Sequence, residues 1–206
     1  MKLPSLGFRG WTALVLLGVL GVLLLARPRW AQRFGLDPGH LSSVRVAGGD
    51  FELSAAGGPW RLSEHTNAQS LVLLYFGFTR CPDLCPMTLG TIANALKELP
   101  EPSRRRVMVV FVSVDHRFDT PGSASAYAAD FGPQFTGLTG DSLAIGRVTQ
   151  QFNAAYAFVP LPESAMNYTV DHTGLVYLLD GRGLLRDLVP TDKITTELRK
   201  RMERLL

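Results

Sequence analysis

The chain has 206 residues and a formal charge of +3, with 21 Lys and Arg against 18 Asp and Glu. Four of those cations, Lys2, Arg9, Arg27 and Arg29, lie in residues 1–29, which carry no acid, so the remainder holds 17 basic against 18 acidic residues. The excess of positive charge therefore flanks an apolar stretch, where it bears on membrane topology, and the rest of the chain has no nucleic-acid footprint.

Residues 11–26 carry no charge and consist almost entirely of Leu, Val, Ala and Gly. As a helix they span about 24 Å, somewhat short of a hydrocarbon core of about 30 Å, which places the segment between a signal-peptide core and a short anchor. The sequence Leu25-Ala26-Arg27-Pro28 that ends it is not a signal-peptidase pattern, and no cysteine follows that could be lipidated. An uncleaved single-pass anchor over residues 1–29 is expected, with a Pro- and Arg-containing tether at 30–42 and one domain of ordinary size at 43–206. Basic residues on both sides of the segment leave its orientation to the chemistry of the domain.

Within that domain, residues 43–46 and 51–53 alternate like the strands of a hairpin around Gly48-Gly49-Asp50. The run Leu71-Val72-Leu73-Leu74-Tyr75-Phe76 is continuously apolar, the pattern of a strand covered on both faces. It leads into Cys81-Pro82-Asp83-Leu84-Cys85-Pro86, then a helix over 87–99 stopped by Pro100. A second buried strand, 107–114, follows, and together they make a βαβ unit of a parallel sheet. Helices are expected at 123–131, ended by Gly132-Pro133, and at 142–156, before an irregular stretch with Pro160 and Pro162. Residues 175–179 and 184–189 flank the turn Asp180-Gly181-Arg182-Gly183 as a β-hairpin. The last segment, 192–206, places Ile194, Leu198, Met202 and Leu205 on one face of an amphipathic helix. This element order, a parallel βαβ half followed by a hairpin and a closing helix, predicts an α/β, thioredoxin-like fold.

The only two cysteines, Cys81 and Cys85, stand four apart where a buried strand gives way to a helix. Helical i, i+4 positions hold their Cβ atoms about 5–6 Å apart. That exceeds the roughly 3.5–4.5 Å of a disulfide, whereas two thiolates each about 2.3 Å from one metal need only side-chain rotation. Either chemistry is open to the pair, and a static disulfide across so short a loop would constrain the unfolded chain little. The helix N-terminus favours thiolate, which serves both as ligand and as nucleophile. Of the four histidines, His40 and His65 sit in polar, loop-like surroundings. His172 precedes the hairpin strand that a thioredoxin-like fold sets beside the first βα turn, which makes it the candidate third ligand. Two thiolates and an imidazole suit copper or zinc.

Three separated motifs resemble the Sco/SenC family in order and spacing, over roughly residues 45–200: Phe76-Gly77-Phe78-Thr79-Arg80-Cys81-Pro82-Asp83-Leu84-Cys85-Pro86, Ser113-Val114-Asp115 with Asp119-Thr120-Pro121, and Val170-Asp171-His172. The resemblance implies a thioredoxin-like fold and one copper, Cu(I) or Cu(II), held by Cys81, Cys85 and His172. It further implies a role in assembling the dinuclear copper centre of cytochrome c oxidase subunit II, with an upstream copper donor and the domain on the extracytoplasmic side of the membrane. One departure is visible: His116-Arg117-Phe118 stands where the family usually has Pro-Glu-Arg or similar, which leaves the ligands untouched and makes His116 an outside candidate for a metal contact. Asp171 and Asp83 are candidates to orient the imidazole and tune the thiolates, or to cap a turn and a helix. Two duties compete: copper delivery, and reduction of a target's cysteines by the Cys81/Cys85 dithiol. A thiol peroxidase fits less well, because no Arg and Thr can be placed around one reactive cysteine. Against a pure reductase stand the Cys-x-x-x-Cys spacing and a histidine where thioredoxins carry a cis-proline.

Overall fold

The computed structural model describes residues 47–206, so the expected anchor at 11–26, the tether at 30–42 and the strand at 43–46 lie outside the described residues. Among the described residues no helix is long and apolar enough to cross a membrane. The first hairpin pairs β1 (Glu52–Ala55) with β2 (Gly58–Arg61), turning at Ala56-Gly57 and not at Gly48-Gly49-Asp50 as the alternation had indicated. Gly48 instead bridges Leu184, far along the chain.

The centre is β3 (Leu71–Gly77), buried at every position. It takes β4 (Val107–Ser113) as a parallel neighbour on one side and β8 (Leu175–Asp180) as an antiparallel neighbour on the other, with Leu74 opposite both Val110 and Tyr177. β5 (Phe135–Leu138) and β9 (Leu185–Pro190) complete the order β5-β4-β3-β8-β9. A strand whose two faces are both covered has no solvent side on which to place polar residues, hence the unbroken apolar run.

Between β3 and β4 come α1 (Leu84–Glu98) and a single turn, α2 (Glu101–Arg104). Pro100 ends α1, since it has no N–H to continue the ladder. α3 (Pro121–Ala129) starts with a reciprocal cap: the Ser123 amide donates to Thr120 Oγ1 (3.1 Å) and the Thr120 amide to Ser123 Oγ (2.9 Å). With Pro121 at the first helical position, this accounts for Thr120-Pro121 as a helix start. α4 (Ser142–Gln151) is capped by Asp141 and is shorter than its apolar pattern suggested, because Tyr156 already belongs to β6 (Tyr156–Pro160). β6 pairs only with β7 (Tyr168–His172), and the two form a ribbon separate from the five-stranded sheet. The closing helix α5 (Ile194–Leu205) buries Ile194, Leu198 and Met202 and packs on α1.

β5 is only four residues long, and its Gly137 marks a close approach of helix to strand. A Cβ there would stand 1.8 Å from the Ala124 carbonyl oxygen, so α3 lies directly on the strand. Gly137→Ala should therefore push α3 off β5 and lower stability by about 1–3 kcal/mol, read from urea unfolding; an unchanged midpoint would contradict this packing.

Candidate metal centre

Cys81 ends the loop that leaves β3, and Cys85 lies in the first turn of α1. Both are free thiols, Cys85 buried and Cys81 half-buried. Asp83 occupies the N-cap position without making a side-chain capping bond. The Cys85 amide donates instead to Cys81 Sγ (3.4 Å), so a sulfur satisfies a helix-end donor that a capping oxygen would ordinarily take. Room for Cys85 comes from Gly77: a Cβ at Gly77 would stand 2.7 Å from Cys85 Sγ and 3.0 Å from the Phe111 ring. Above the sulfur, the Tyr75 hydroxyl donates to Cys85 Sγ (3.7 Å).

His172 closes the group from the far end of β7. Its Nε2 is 3.6 Å from Cys85 Sγ, and its ring meets the rings of Tyr75 and Phe78 edge-on at 5.8 and 6.1 Å. A proton on Nδ1 is accepted by the Thr173 carbonyl oxygen (3.4 Å), which leaves the Nε2 lone pair facing the sulfur. Sulfur and nitrogen ligands bonded to one metal at about 2.3 and 2.05 Å, with angles of about 109–120°, lie about 3.5–3.8 Å from each other. The observed separation falls in that range. Among the described residues no three His, Cys, Asp or Glu side chains stand close enough together to hold a metal ion as placed.

The two thiols are opposed electrostatically. The Cys85 thiol hydrogen-bonded to it draws the Cys81 pKa down to about 4; burial opposes this, and His172 and the amides of Cys85 and Asp83 add to the lowering. Cys85 is pushed far up, first by that same bond to Cys81 and then by its own burial. The pair thus shares one proton, held on the inner sulfur.

Below the cysteine loop, sequence reasoning missed a polar network. Asp119 accepts hydrogen bonds from the Thr79 amide (2.9 Å), the Thr79 hydroxyl (2.5 Å) and the Ser113 hydroxyl (2.5 Å). Asp115, fully buried, accepts from Arg80 Nη2 (3.1 Å) and from the Tyr168 hydroxyl (3.0 Å), while Arg80 also donates to Tyr168 (2.5 Å). The Arg80 guanidinium lies 3.4 Å over the Phe118 ring. Two acids spaced four apart just after an almost fully buried strand were the available signal, since buried carboxylates require donors. The remaining expectations divide. His116 sits edge-on to Phe158 (5.1 Å) and Tyr156 (6.3 Å), with no contact to the cysteines among the described residues. Asp171 is exposed and makes no side-chain bond to His172, and His65 stacks on Trp60 at 4.7 Å. His40 lies outside the described residues.

A parallel βα unit carrying a cysteine pair at its strand-to-helix turn, faced by a histidine from a separate ribbon, defines a thioredoxin-like domain. The SCO1/SenC family profile matches residues 41–206, and the chain belongs to that family. It is 35% identical to the SCO2-like protein of Rickettsia conorii over 170 residues, 82% of either chain. Among solved structures it is similar to apo Sco1 from Thermus thermophilus (37% identity, TM-score 0.68, covering 79% of this chain and 94% of that one). It is also similar to Arabidopsis thaliana ScoI with copper bound (30% identity, TM-score 0.66, covering 77% and 99%).

A depressed pKa at Cys81 means that the folded chain holds fewer protons than the unfolded chain between about pH 4 and 9. The resulting stabilisation is complete above the ordinary thiol range and is lost as pH falls through about 4. In the metal-free protein, alkylation of Cys81 by iodoacetamide should keep its rate from pH 8 down to about pH 5, with Cys85 unmodified. Cys81 labelling that falls away below pH 8 would show an ordinary thiol.

Proposed function

We propose that the protein is a membrane-anchored copper chaperone that binds one copper through Cys81, Cys85 and His172 and delivers it to the dinuclear copper centre of cytochrome c oxidase subunit II. The observation that carries this reading is the 3.6 Å approach of His172 Nε2 to Cys85 Sγ, because β7 reaches the cysteine turn from outside the central sheet and a reductase has no use for an imidazole there. Family membership and the copper-bound Arabidopsis relative support it.

In this reading the donors have different duties. Cys85 is the inner ligand, sealed beneath Tyr75 and against Gly77, and must give up its proton as the metal arrives, so uptake weakens as pH falls. Cys81, already thiolate and reachable from solvent, turns from the Cys85 amide to the metal and is the sulfur an incoming acceptor can displace. His172 completes a site suited to Cu(II), whereas Cu(I) tolerates two sulfurs alone.

A second reading, reduction of the target's cysteines, is favoured by the same asymmetry. Cys81 thiolate would attack one sulfur of a target disulfide, releasing the other as a thiol, and Cys85 would then displace the target from the mixed disulfide, leaving Cys81–Cys85 oxidised and the target reduced.

The full chain should take up one copper, with thiolate-to-Cu(II) absorption lost in Cys81→Ala and Cys85→Ala, and Cu(II) binding weakened more than Cu(I) binding in His172→Ala. In the source cell, His172→Ala should lose oxidase activity as completely as Cys81→Ala, with partial recovery in excess copper. Retained oxidase activity in the histidine variant alongside loss in both cysteine variants would install the reductase reading in its place.

Anchoring through residues 11–26, with the domain on the extracytoplasmic side, completes the proposal, since a tether at 30–42 would let the domain reach a membrane-embedded oxidase. Fractionation with N-terminal sequencing should find the intact N-terminus in the membrane pellet. A freely soluble product beginning near Arg29 would show a cleaved signal instead.

A further inference from the structure

The histidine and the cysteines arrive on elements that share no sheet. β7 pairs only with β6, so no ladder bond of the five-stranded sheet fixes where its residues stand relative to the loop after β3. Two features do. At its C-terminal end β7 runs through Thr173 and Gly174 into β8, with the Thr191 amide donating to the Gly174 carbonyl (3.0 Å). At its N-terminal end Tyr168 meets Arg80, the residue before Cys81, and both bond to the buried Asp115. The three groups close a ring of hydrogen bonds: Arg80 donates to Asp115 and Tyr168, and Tyr168 donates to Asp115. The guanidinium also lies 3.4 Å from the Phe118 ring centre and 5.4 Å from that of Tyr168. Tyr168 and His172 are four residues apart on one strand, hence on the same face and about 13 Å from each other. Whatever fixes Tyr168 therefore sets the angle at which β7 carries His172 to Cys85.

The geometry points to Arg80, Asp115 and Tyr168 as a positioning clamp that locks the histidine strand to the cysteine loop and so sets how firmly His172 engages the metal. The inference rests on the copper-binding reading above. It adds residues that hold no metal themselves but decide the balance between a two-sulfur site and a site that includes nitrogen. Loosening the clamp should leave Cu(I) binding, which the thiolates satisfy, and speed the loss of Cu(II), which draws on the imidazole.

The test is a double-mutant cycle of Tyr168→Phe and His172→Ala in the full chain, with Cu(II) release followed by the thiolate-to-Cu(II) band and Cu(I) affinity measured against a colorimetric chelator. Tyr168→Phe removes both hydrogen bonds of the hydroxyl, the one donated to Asp115 and the one accepted from Arg80, and keeps the ring; Cu(II) release should quicken about tenfold or more while Cu(I) affinity stays within about twofold. In the His172→Ala background the same change should have no effect, since there is no imidazole left to misplace. Asp115→Asn, which keeps shape and weakens the acceptor, should reproduce the pattern. Additive effects of Tyr168→Phe and His172→Ala, or unchanged Cu(II) release in Tyr168→Phe, would overturn the clamp. A metal-free arm separates the two ideas: the His172 ring nitrogen resonances should broaden or shift in metal-free Tyr168→Phe, and identical resonances would overturn the clamp even if copper binds. A wild-type chain that takes up no copper, yet shows that ring response, would sink the copper reading and leave the clamp standing.

Discussion

Two carboxylates at the end of β4 govern how this site is assembled. Asp115 and Asp119 follow a strand with no exposed face, and a buried carboxylate without donors costs several kcal/mol, so the chain must bring donors to them. It brings Thr79 and Arg80 from the cysteine loop, Ser113 from β4 itself, and Tyr168 from β7. The acids thereby organise three separate segments around one point, and the cysteine turn is one of them. The segment 78–80 has no regular secondary structure of its own, and these bonds substitute for it.

The second consequence of that arrangement is asymmetry between two chemically identical side chains. Cys85 occupies space that Gly77 leaves open and is roofed by Tyr75, while Cys81 stands half out of the protein and takes the amide at the start of α1. One thiol is screened from reagents and the other is presented to them. Both duties considered for the protein use that difference, which is why the pair alone does not separate them.

The central architecture was legible because burial on both faces leaves an unmistakable apolar run, as in β3 and β4, and because Pro100 and Gly132-Pro133 punctuate the helices. The cysteine turn and His172 could also be read, from spacing and from the family resemblance. What escaped were elements whose stability comes from partners distant in the chain. β5 has four residues and a glycine that owes its presence to a helix lying on it. β6 and β7 form a separate ribbon of mixed polarity, β6 ending at Pro160 with Pro162 just beyond it, so neither strand stands out as a buried apolar run. β1 was displaced because Gly48-Gly49 looks like a hairpin turn, yet Gly48 bridges Leu184, a contact that local pattern cannot reveal. Likewise Asp171 stood next to the histidine in sequence, but neighbours on a strand point to opposite faces, and the useful acid was Asp115, fifty-odd residues earlier.

The two-stranded ribbon β6–β7 has a further meaning for the energetics of the domain. Since it shares no ladder with the five-stranded sheet, it can open without unzipping β3, β4 or β8, at the cost of the Tyr168 bonds to Arg80 and Asp115 and of the core contacts of Val170. Amide exchange along Phe158 and Val170 would then be faster than along Leu73 and Val110, reporting a sub-global foldon. A histidine carried on such a seam can withdraw while the two cysteines keep their frame, so that partial disassembly is confined to one hairpin and the bonds of its Tyr168.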